Sequence, residues 1–104
     1  MLEIFTKSRD GLYEAKGIYD EGKVTVFKES RINNRASDNF KPSTLVKKLR
    51  NDENTVDKDG VLKKDISFES LSTAACFVTG RTANGMITWK TADGKYVRYT
   101  LKAE

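Results

Sequence analysis

The sequence predicts an α+β fold, in which one antiparallel sheet of four to six strands carries two helices. Short segments of alternating apolar and polar residues, separated by turns that contain Gly, occur towards both ends of the chain and are typical of hairpins. Between them, four apolar residues share the spacing of one helical face: Leu71, Ala74, Ala75 and Val78. The 104 residues suffice for one modest core, so we expect a single small domain spanning residues 1–104.

The N-terminal part of the chain predicts three strands, at residues 2–7, 12–19 and 23–29. Residues 8–11 form a turn between the first two. A three-residue loop at 20–22, with Gly in its left-handed position, would place Glu14 opposite Lys28. A two-residue loop at 21–22 fits the same side-chain pattern, so the sequence leaves the register of this hairpin open.

A long loop and a first helix are predicted next. Residues 30–41 are rich in turn formers and predict the loop, and Pro42 suits the first turn of the helix that follows. The apolar side of this helix would hold Leu45, Val46 and Leu49. Its other side would hold Lys47, Lys48 and Arg50, a composition that fits either a solvated face or contacts with phosphates.

The stretch from residue 66 to residue 80 carries the most position-specific pattern. It predicts a strand at 66–68 and a helix at 70–79. Ser70 is suited to cap the helix N-terminus, and Gly80 lies where a left-handed C-terminal cap belongs. Cys76 lies in an apolar run, so we expect it to be a small buried residue rather than a nucleophile.

The last segment predicts a second hairpin, with strands at 86–91 and 95–102. A three-residue loop at 92–94 places Trp89 opposite Val97 and brings the apolar residues of both strands to one side. A one-residue change of register turns every side chain to the other side, so the three-residue loop is preferred.

In that register Ile87 opposes Tyr99 on the core side. A two-residue loop would instead place Trp89 against Arg98 and divide the apolar residues between the two sides. The outer side becomes a basic strip with one aromatic ring, made of Met86, Thr88, Lys90, Tyr96, Arg98, Thr100 and Lys102.

Composition and charge exclude several classes of function. The chain has no His and one Cys, which excludes zinc sites built on Cys and His, intramolecular disulfides, and catalysis by Ser-His-Asp or Cys-His groups. We expect no metal and no cofactor. No apolar run approaches the length of a membrane span and the N-terminus has no signal-peptide pattern, so a cytoplasmic protein with no membrane contact is expected.

A net charge of +4 is distributed unevenly, because two basic ends flank the acidic segment 51–69. This distribution is a mild signal for a polyanionic partner. The candidate nucleic-acid-binding residues are Arg81, Asn84, Lys90, Arg98, Lys47 and Lys48. Arg81 follows the Gly80 cap, where a guanidinium either bonds the last helix carbonyls or contacts a phosphate or carboxylate.

One motif set carries a family resemblance. It consists of Phe68, Ser70, Ser72, Ala74, Ala75, the run Gly80, Arg81, Thr82, Ala83, Asn84, Gly85, and then Trp89, Lys90 and Gly94. Upstream, Ala15, Gly17 and the run 26–30 fit the same pattern. The set resembles a bacterial domain of unknown function found near the C-terminus of GIY-YIG nucleases and in restriction or modification proteins. The spacing of its motif residues is also similar to that of the restriction-system adenine-methylase-associated domain.

The resemblance implies an accessory domain that holds or reads DNA beside a catalytic partner. Glu29 departs from the pattern where Gly is common, which suggests a different tight turn, and Leu71 departs where Pro is common. We therefore expect a non-catalytic domain that binds nucleic acid, DNA in the first place, in a nuclease or restriction-modification context. The alternative is a protein-interaction module that docks a nuclease or methylase. It predicts an exposed apolar patch around Met86 and Tyr96.

Overall fold

A computed structural model describes residues 1–35 and 43–102. Within these ranges the chain forms an α+β fold of four strands and three α-helices, which confirms the predicted class and adds a helix at the C-terminus. The elements in chain order are β1 (Leu2–Lys7), β2 (Glu14–Asp20), β3 (Lys23–Val26), α1 (Thr44–Arg50), β4 (Ile66–Phe68), α2 (Leu71–Thr79), a 3₁₀ helix (Gly85–Ile87) and α3 (Val97–Lys102).

The four strands form one open antiparallel sheet in the order β1-β2-β3-β4. One row of paired residues crosses the whole sheet, from Ile4 through Gly17 and Val26 to Ile66. These residues are buried, because this face of the sheet packs beneath α2, which contacts β3 and β4. The other face alternates with it and carries mainly charged and polar side chains, with Phe5 and Ile18 half-buried among them, as expected for a sheet with one face in water.

The β2–β3 hairpin closes with the two-residue loop, one of the two loops that the sequence left open. Asp20 pairs with Lys23, and the loop residues Glu21 and Gly22 have φ angles of 49° and 87°. Two consecutive positive φ values give a turn whose twist matches that of the flanking strands. Glu14 opposes Arg31 rather than Lys28, because a turn at residues 28 and 29 interrupts the pairing after β3.

The first helix begins at Thr44, capped by the Ser43 side chain, which accepts a hydrogen bond from the Val46 N–H. Pro42 and the second half of the predicted 30–41 loop lie outside the described residues. Val46 is buried and α1 packs against α2, but Leu45 is exposed. Arg50 does not lie on a solvated side with the helix lysines, because its guanidinium turns inward to bond backbone carbonyls.

The predicted strand at 66–68 and the second helix are confirmed. The Ser70 hydroxyl accepts from the Thr73 N–H at 3.1 Å, and Gly80 adopts the left-handed conformation with φ 73°. Buried residues of α2 and the sheet form the core, where the Phe68 and Phe77 ring centroids lie 5.1 Å apart. Cys76 is only half-buried, because it lies on the side of α2 where the 81–84 loop crosses and Ala83 approaches its sulfur.

The predicted C-terminal hairpin is largely wrong. Its loop and register are correct, since the Thr91 N–H donates to the Lys95 carbonyl and Lys90 pairs with Tyr96. The pairing stops there. Residues 85–87, before the paired segment, form the 3₁₀ helix, and residues 97–102, after it, form α3. The predicted basic strip along a strand is therefore not formed. Of the core residues predicted here, Trp89 and Val97 are buried, whereas Ile87 and Tyr99 are exposed.

Trp89 fixes this segment to α2. Its indole N–H donates to the Leu71 carbonyl at 3.1 Å, and Gly85 packs so closely on α2 that an added Cβ would lie 2.2 Å from the Leu71 carbonyl carbon. The segment also extends the sheet by one bridge, between Phe5 of β1 and Lys90. None of the helices in the described ranges has the length and apolar character needed to cross a membrane.

Candidate nucleic-acid interface

A cleft of about 510 Å³ opens beside the C-terminal end of β1. We call it the basic cleft. One wall is the β1–β2 turn, and the opposite wall is the segment from Ile87 to Tyr96. Between them lie Thr79, the last residue of α2, and Asn33, whose side chain bonds the Thr79 carbonyl. The described residues that line it are Thr6, Lys7, Ser8, Arg9, Asp10, Leu12, Tyr13, Asn33, Thr79, Arg81, Ile87, Thr88, Lys90 and Tyr96.

The lining is strongly cationic. Among the described residues that form it, four are basic (Lys7, Arg9, Arg81 and Lys90) and Asp10 is the acidic one. Lys7 also approaches Glu14, with 3.9 Å between Nζ and Oε1, but both side chains are well exposed and such pairs contribute little. The basic cleft therefore presents a net positive charge to solvent.

Arg81 enters the cleft because the end of α2 is already bonded by other residues. The Gly80 N–H donates to the Cys76 carbonyl, and Arg50 donates to the Phe77 carbonyl. Asn33 donates to the next two carbonyls, from its backbone N–H to Val78 and from its side-chain amide to Thr79.

This arrangement argues against one of the two interpretations of Arg81, that of a helix cap. The last carbonyls of α2 have other donors, and no residue in the described part of the chain accepts a hydrogen bond from the Arg81 guanidinium. Its side chain is exposed and lines the basic cleft. A guanidinium offers a planar set of donors that fits phosphate or carboxylate oxygens. Arg81 therefore does not cap α2, and its guanidinium is exposed at the basic cleft.

Lys90 and Tyr96 occupy the opposite wall with a fixed backbone. The Lys90 N–H donates to the Phe5 carbonyl at 2.7 Å, and the Phe5 N–H donates back to the Lys90 carbonyl at 2.8 Å. The Lys90 ammonium lies 5.1 Å from the centroid of the Tyr96 ring, within cation–π range. Because buried Trp89 and Val97 alternate with them, Lys90 and Tyr96 face outward.

Asp10 balances part of the charge. A hydrogen bond from Ser8 holds the pKa of the Asp10 carboxyl below its usual value, with smaller contributions from the Leu12 N–H and from the charge of Arg81. Asp10 is therefore ionised at neutral pH and lies close enough to Arg81 for their charges to interact.

The structure brings two of the six predicted binding residues together, Arg81 and Lys90. Asn84 has a structural role, because its side-chain oxygen accepts from the Met86 N–H and caps the 3₁₀ helix. Arg98 on α3 and the α1 residues Lys47 and Lys48 are exposed but do not line the basic cleft. Sequence reasoning missed Lys7 and Arg9, for which the signal was two basic residues beside the turn that ends β1.

The described residues contain no group of three or more Cys, Asp or Glu side chains that could hold a metal ion. Comparison with protein families gives the classification of the chain. Residues 4–100 match a family described as a domain of unknown function (DUF4357). The chain belongs to this family. Comparisons with curated proteins and with solved structures gave no match.

The DUF4357 match includes both walls of the basic cleft, since it extends over Lys7 and Arg9 on one side and Lys90 and Tyr96 on the other. The cleft thus lies within the DUF4357 unit itself. Its floor is the end of α2, where the motif residues Gly80 and Arg81 that carried the resemblance are located.

Proposed function

We propose that this domain is a non-catalytic accessory domain that binds nucleic acid, DNA in the first place, through the basic cleft. The observation that supports it most directly is the convergence of Lys7, Arg9, Arg81 and Lys90 around one cavity. Lys7 and Arg9 lie more than seventy residues before Arg81 and Lys90 in the sequence, so their convergence is a property of the fold.

The chemistry of the cleft suits phosphate. Arg81 offers a planar, bidentate set of donors, and the lysine ammonium groups supply compact charges that neutralise backbone phosphates. Ser8 and Thr88 also line the cavity, with the Ser8 hydroxyl bonded to the Tyr13 N–H and the Thr88 hydroxyl to the Asn84 carbonyl, so the cations are the groups left for phosphate. The chain has no His, and we propose no reaction for the site.

We further propose that the domain acts beside a nuclease or methylase catalytic partner in a restriction-modification setting. The support is the motif resemblance around Phe68–Lys90, which includes the cleft residues Arg81 and Lys90. In this arrangement the catalytic partner performs the chemistry, and the domain described here contributes affinity for the substrate strand.

Titration tests the proposal. Labelled duplex DNA, methylated duplex DNA and single strands are titrated with the domain at about 50 and 200 mM salt. A domain that binds through phosphates loses affinity as salt displaces it, because binding releases condensed counterions. We expect measurable binding at the lower salt and a loss of tenfold or more at the higher. Absence of binding to any of the three at low salt would contradict the proposal.

A second function, docking of a protein partner, is favoured by one feature. Leu12, Ile87 and Tyr96 remain 48%, 46% and 38% exposed around the cleft. The apolar patch is displaced from the predicted one, because Met86 is half-buried and packs against the core. A salt-insensitive association with a nuclease or methylase chain, lost in Ile87→Ser, would favour this function.

A further inference from the structure

We infer that the basic cleft takes an unpaired nucleotide of a DNA strand, with its phosphate against Arg81 and Lys90 and its base against the Tyr96 ring. This inference rests on the proposed function and specifies its substrate. A domain that held only the outside of a duplex would need the cations of the cleft but not its aromatic and apolar wall.

The apolar wall is the first observation. Tyr96, Ile87 and Leu12 keep between 38% and 48% of their surface exposed, and they line the same cavity as the cations. Proteins that bind single strands combine a positive groove, which follows the phosphates, with exposed rings on which bases stack. The Lys90 ammonium lies over the Tyr96 ring, 5.1 Å from its centroid, so a cation for the phosphate is in contact with the ring for the base and leaves the other side of that ring for stacking.

The rigidity of that wall is the second observation. Reciprocal backbone hydrogen bonds join Lys90 to Phe5, and the Val97 N–H donates to the Trp89 carbonyl at 2.9 Å. Trp89 and Val97 are buried beside them. Since the backbone on both sides of the ring is already fixed, little backbone entropy remains to be lost when a base stacks on Tyr96.

The concave shape is the third observation. A volume of about 510 Å³ lies within the range of small-ligand sites, which is about 300 to 1,000 Å³. Bases in a duplex are paired and stacked inside, and a protein reaches the face of one only when it is unpaired or flipped out at an energetic cost. A cleft of this size, with its ring inside, therefore suits a single exposed nucleotide better than an intact helix.

The first test uses the wild-type domain with three probes: a short oligothymidylate, an abasic strand of the same length and charge, and a fully paired duplex. We expect the oligothymidylate to bind about tenfold or more tightly than the abasic strand, because base stacking adds to the phosphate contacts. We also expect it to bind more tightly than the duplex.

The second test uses variants of two exposed tyrosines on the oligothymidylate. Tyr96→Leu should weaken binding about tenfold, while Tyr96→Phe, which keeps the ring, should stay within about twofold of wild type. Tyr99→Leu is the matched control, because Tyr99 is 61% exposed on α3 and does not line the cleft. Circular dichroism shows whether each variant is folded, and the abasic comparison needs no variant.

The outcomes separate this inference from the proposed function. Equal affinity for the abasic strand and the oligothymidylate, or for duplex and single strand, overturns the inference and leaves the proposed function standing. Failure to bind any of the probes overturns both. A Tyr99→Leu variant that loses as much affinity as a folded Tyr96→Leu variant also overturns the inference, because the ring in the cleft would then have no special role.

Discussion

Arg50 is a residue whose role the sequence pattern could not show. Helical spacing places it with Lys47 and Lys48, on the side expected to face solvent or phosphate. In the folded chain its guanidinium instead donates to the carbonyls of Phe77 and Asn33. Burial lowers the pKa of Arg50, yet a guanidinium titrates so far above neutral pH that it stays charged. A long basic side chain can reach several ångströms from its own helix, so spacing alone does not give its destination.

We therefore expect Arg50→Ala to lower the free energy of unfolding by about 2 to 4 kcal/mol, since it leaves carbonyls at the end of α2 without their charged donor. Arg50→Lys should recover only part of this, because an ammonium lacks the fork that bonds two carbonyls at once. Lys47→Ala, on the exposed side of the same helix, should change it by less than about 0.5 kcal/mol. Urea denaturation measures all three. An Arg50→Ala variant as stable as Lys47→Ala would contradict this account.

Glu29 is a second informative residue. The resemblance places Gly there, and we expected the departure to change the turn after β3. The backbone there has φ 74°, a conformation that Gly adopts freely and other residues adopt at a cost. Glu29 is therefore accommodated with strain at a position that suits Gly.

Glu29→Gly should raise the free energy of unfolding by up to about 1 kcal/mol, because relief of the left-handed strain outweighs the extra freedom of Gly in the unfolded chain. The backbone bond from residue 29 to the Leu62 carbonyl is retained. Glu53→Gly is the control, since Glu53 is exposed and is not among the described residues with positive φ, and it should lower stability. If both variants are destabilised equally, the strain assigned to Glu29 is not there.

At the scale of elements, the sequence predicted β4 and α2 correctly, because residues within or next to these elements determine where they begin and end. The bounds of β4 agree with the prediction, and α2 begins after Ser70 and ends before Gly80 because each cap satisfies free backbone groups. Leu71 is the first residue of α2, a position where Pro is also tolerated, which explains why the family pattern can hold Pro there.

The prediction of a C-terminal hairpin was wrong because the structure of this segment depends on contacts with residues far away in sequence. The alternation of residues 97–102 fits a strand, but a strand needs a paired neighbour for its backbone groups. Gly85 packs on Leu71 and residues 85–87 form a 3₁₀ helix capped by Asn84, so within residues 1–35 and 43–102 no strand pairs with residues 98–102. The segment satisfies its backbone locally as α3 instead.

The loop between α1 and β4 gives a prediction about acid stability. The Asp57 carboxylate accepts from the Val61 N–H at 2.9 Å and the Asp59 N–H at 2.8 Å, and the Val61 bond is the main reason that the pKa of Asp57 lies below its usual value. Asp52 has a lowered pKa for the same reason, chiefly through the Asn54 N–H. These carboxylates stabilise the loop only while they are ionised.

Because the folded-state pKa is depressed, this contribution is complete above the unfolded value of about 3.9 and is lost as pH falls through the folded value. The urea midpoint should be nearly constant above about pH 5 and decrease below about pH 4. Asp57→Asn should make that decrease less steep. Asp59→Asn is the control, because the Asp59 carboxylate accepts no hydrogen bond from a described residue, and it should change the decrease less. A midpoint that rises on acidification would contradict the assignment.

At the scale of the whole molecule, the candidate site is assembled from segments that sequence reading treats separately. The β1–β2 turn, the end of α2 and the 87–96 segment form one cleft only because Trp89 bonds α2 and Lys90 pairs with β1. Arg81 and Lys90 could be selected from the sequence because they lacked a structural role there. Lys7 and Arg9 could not, since their relevance depends on a contact across more than seventy residues of sequence.

The central claim is that the basic cleft, rather than the general positive charge of the domain, binds DNA. The most direct test is the dependence of affinity on salt for wild type and two double variants. Arg81→Ala with Lys90→Ala removes two cations from the cleft, and Lys23→Ala with Lys28→Ala removes two exposed cations that do not line it.

We predict that the cleft variant binds at least tenfold more weakly at low salt and that its slope of log affinity against log salt is smaller in magnitude by about 1 to 2, as two lost phosphate contacts require. The control variant should keep a slope close to that of wild type. If both double variants lose affinity and slope equally, the binding is a non-specific response to net charge, and the basic cleft is not the site.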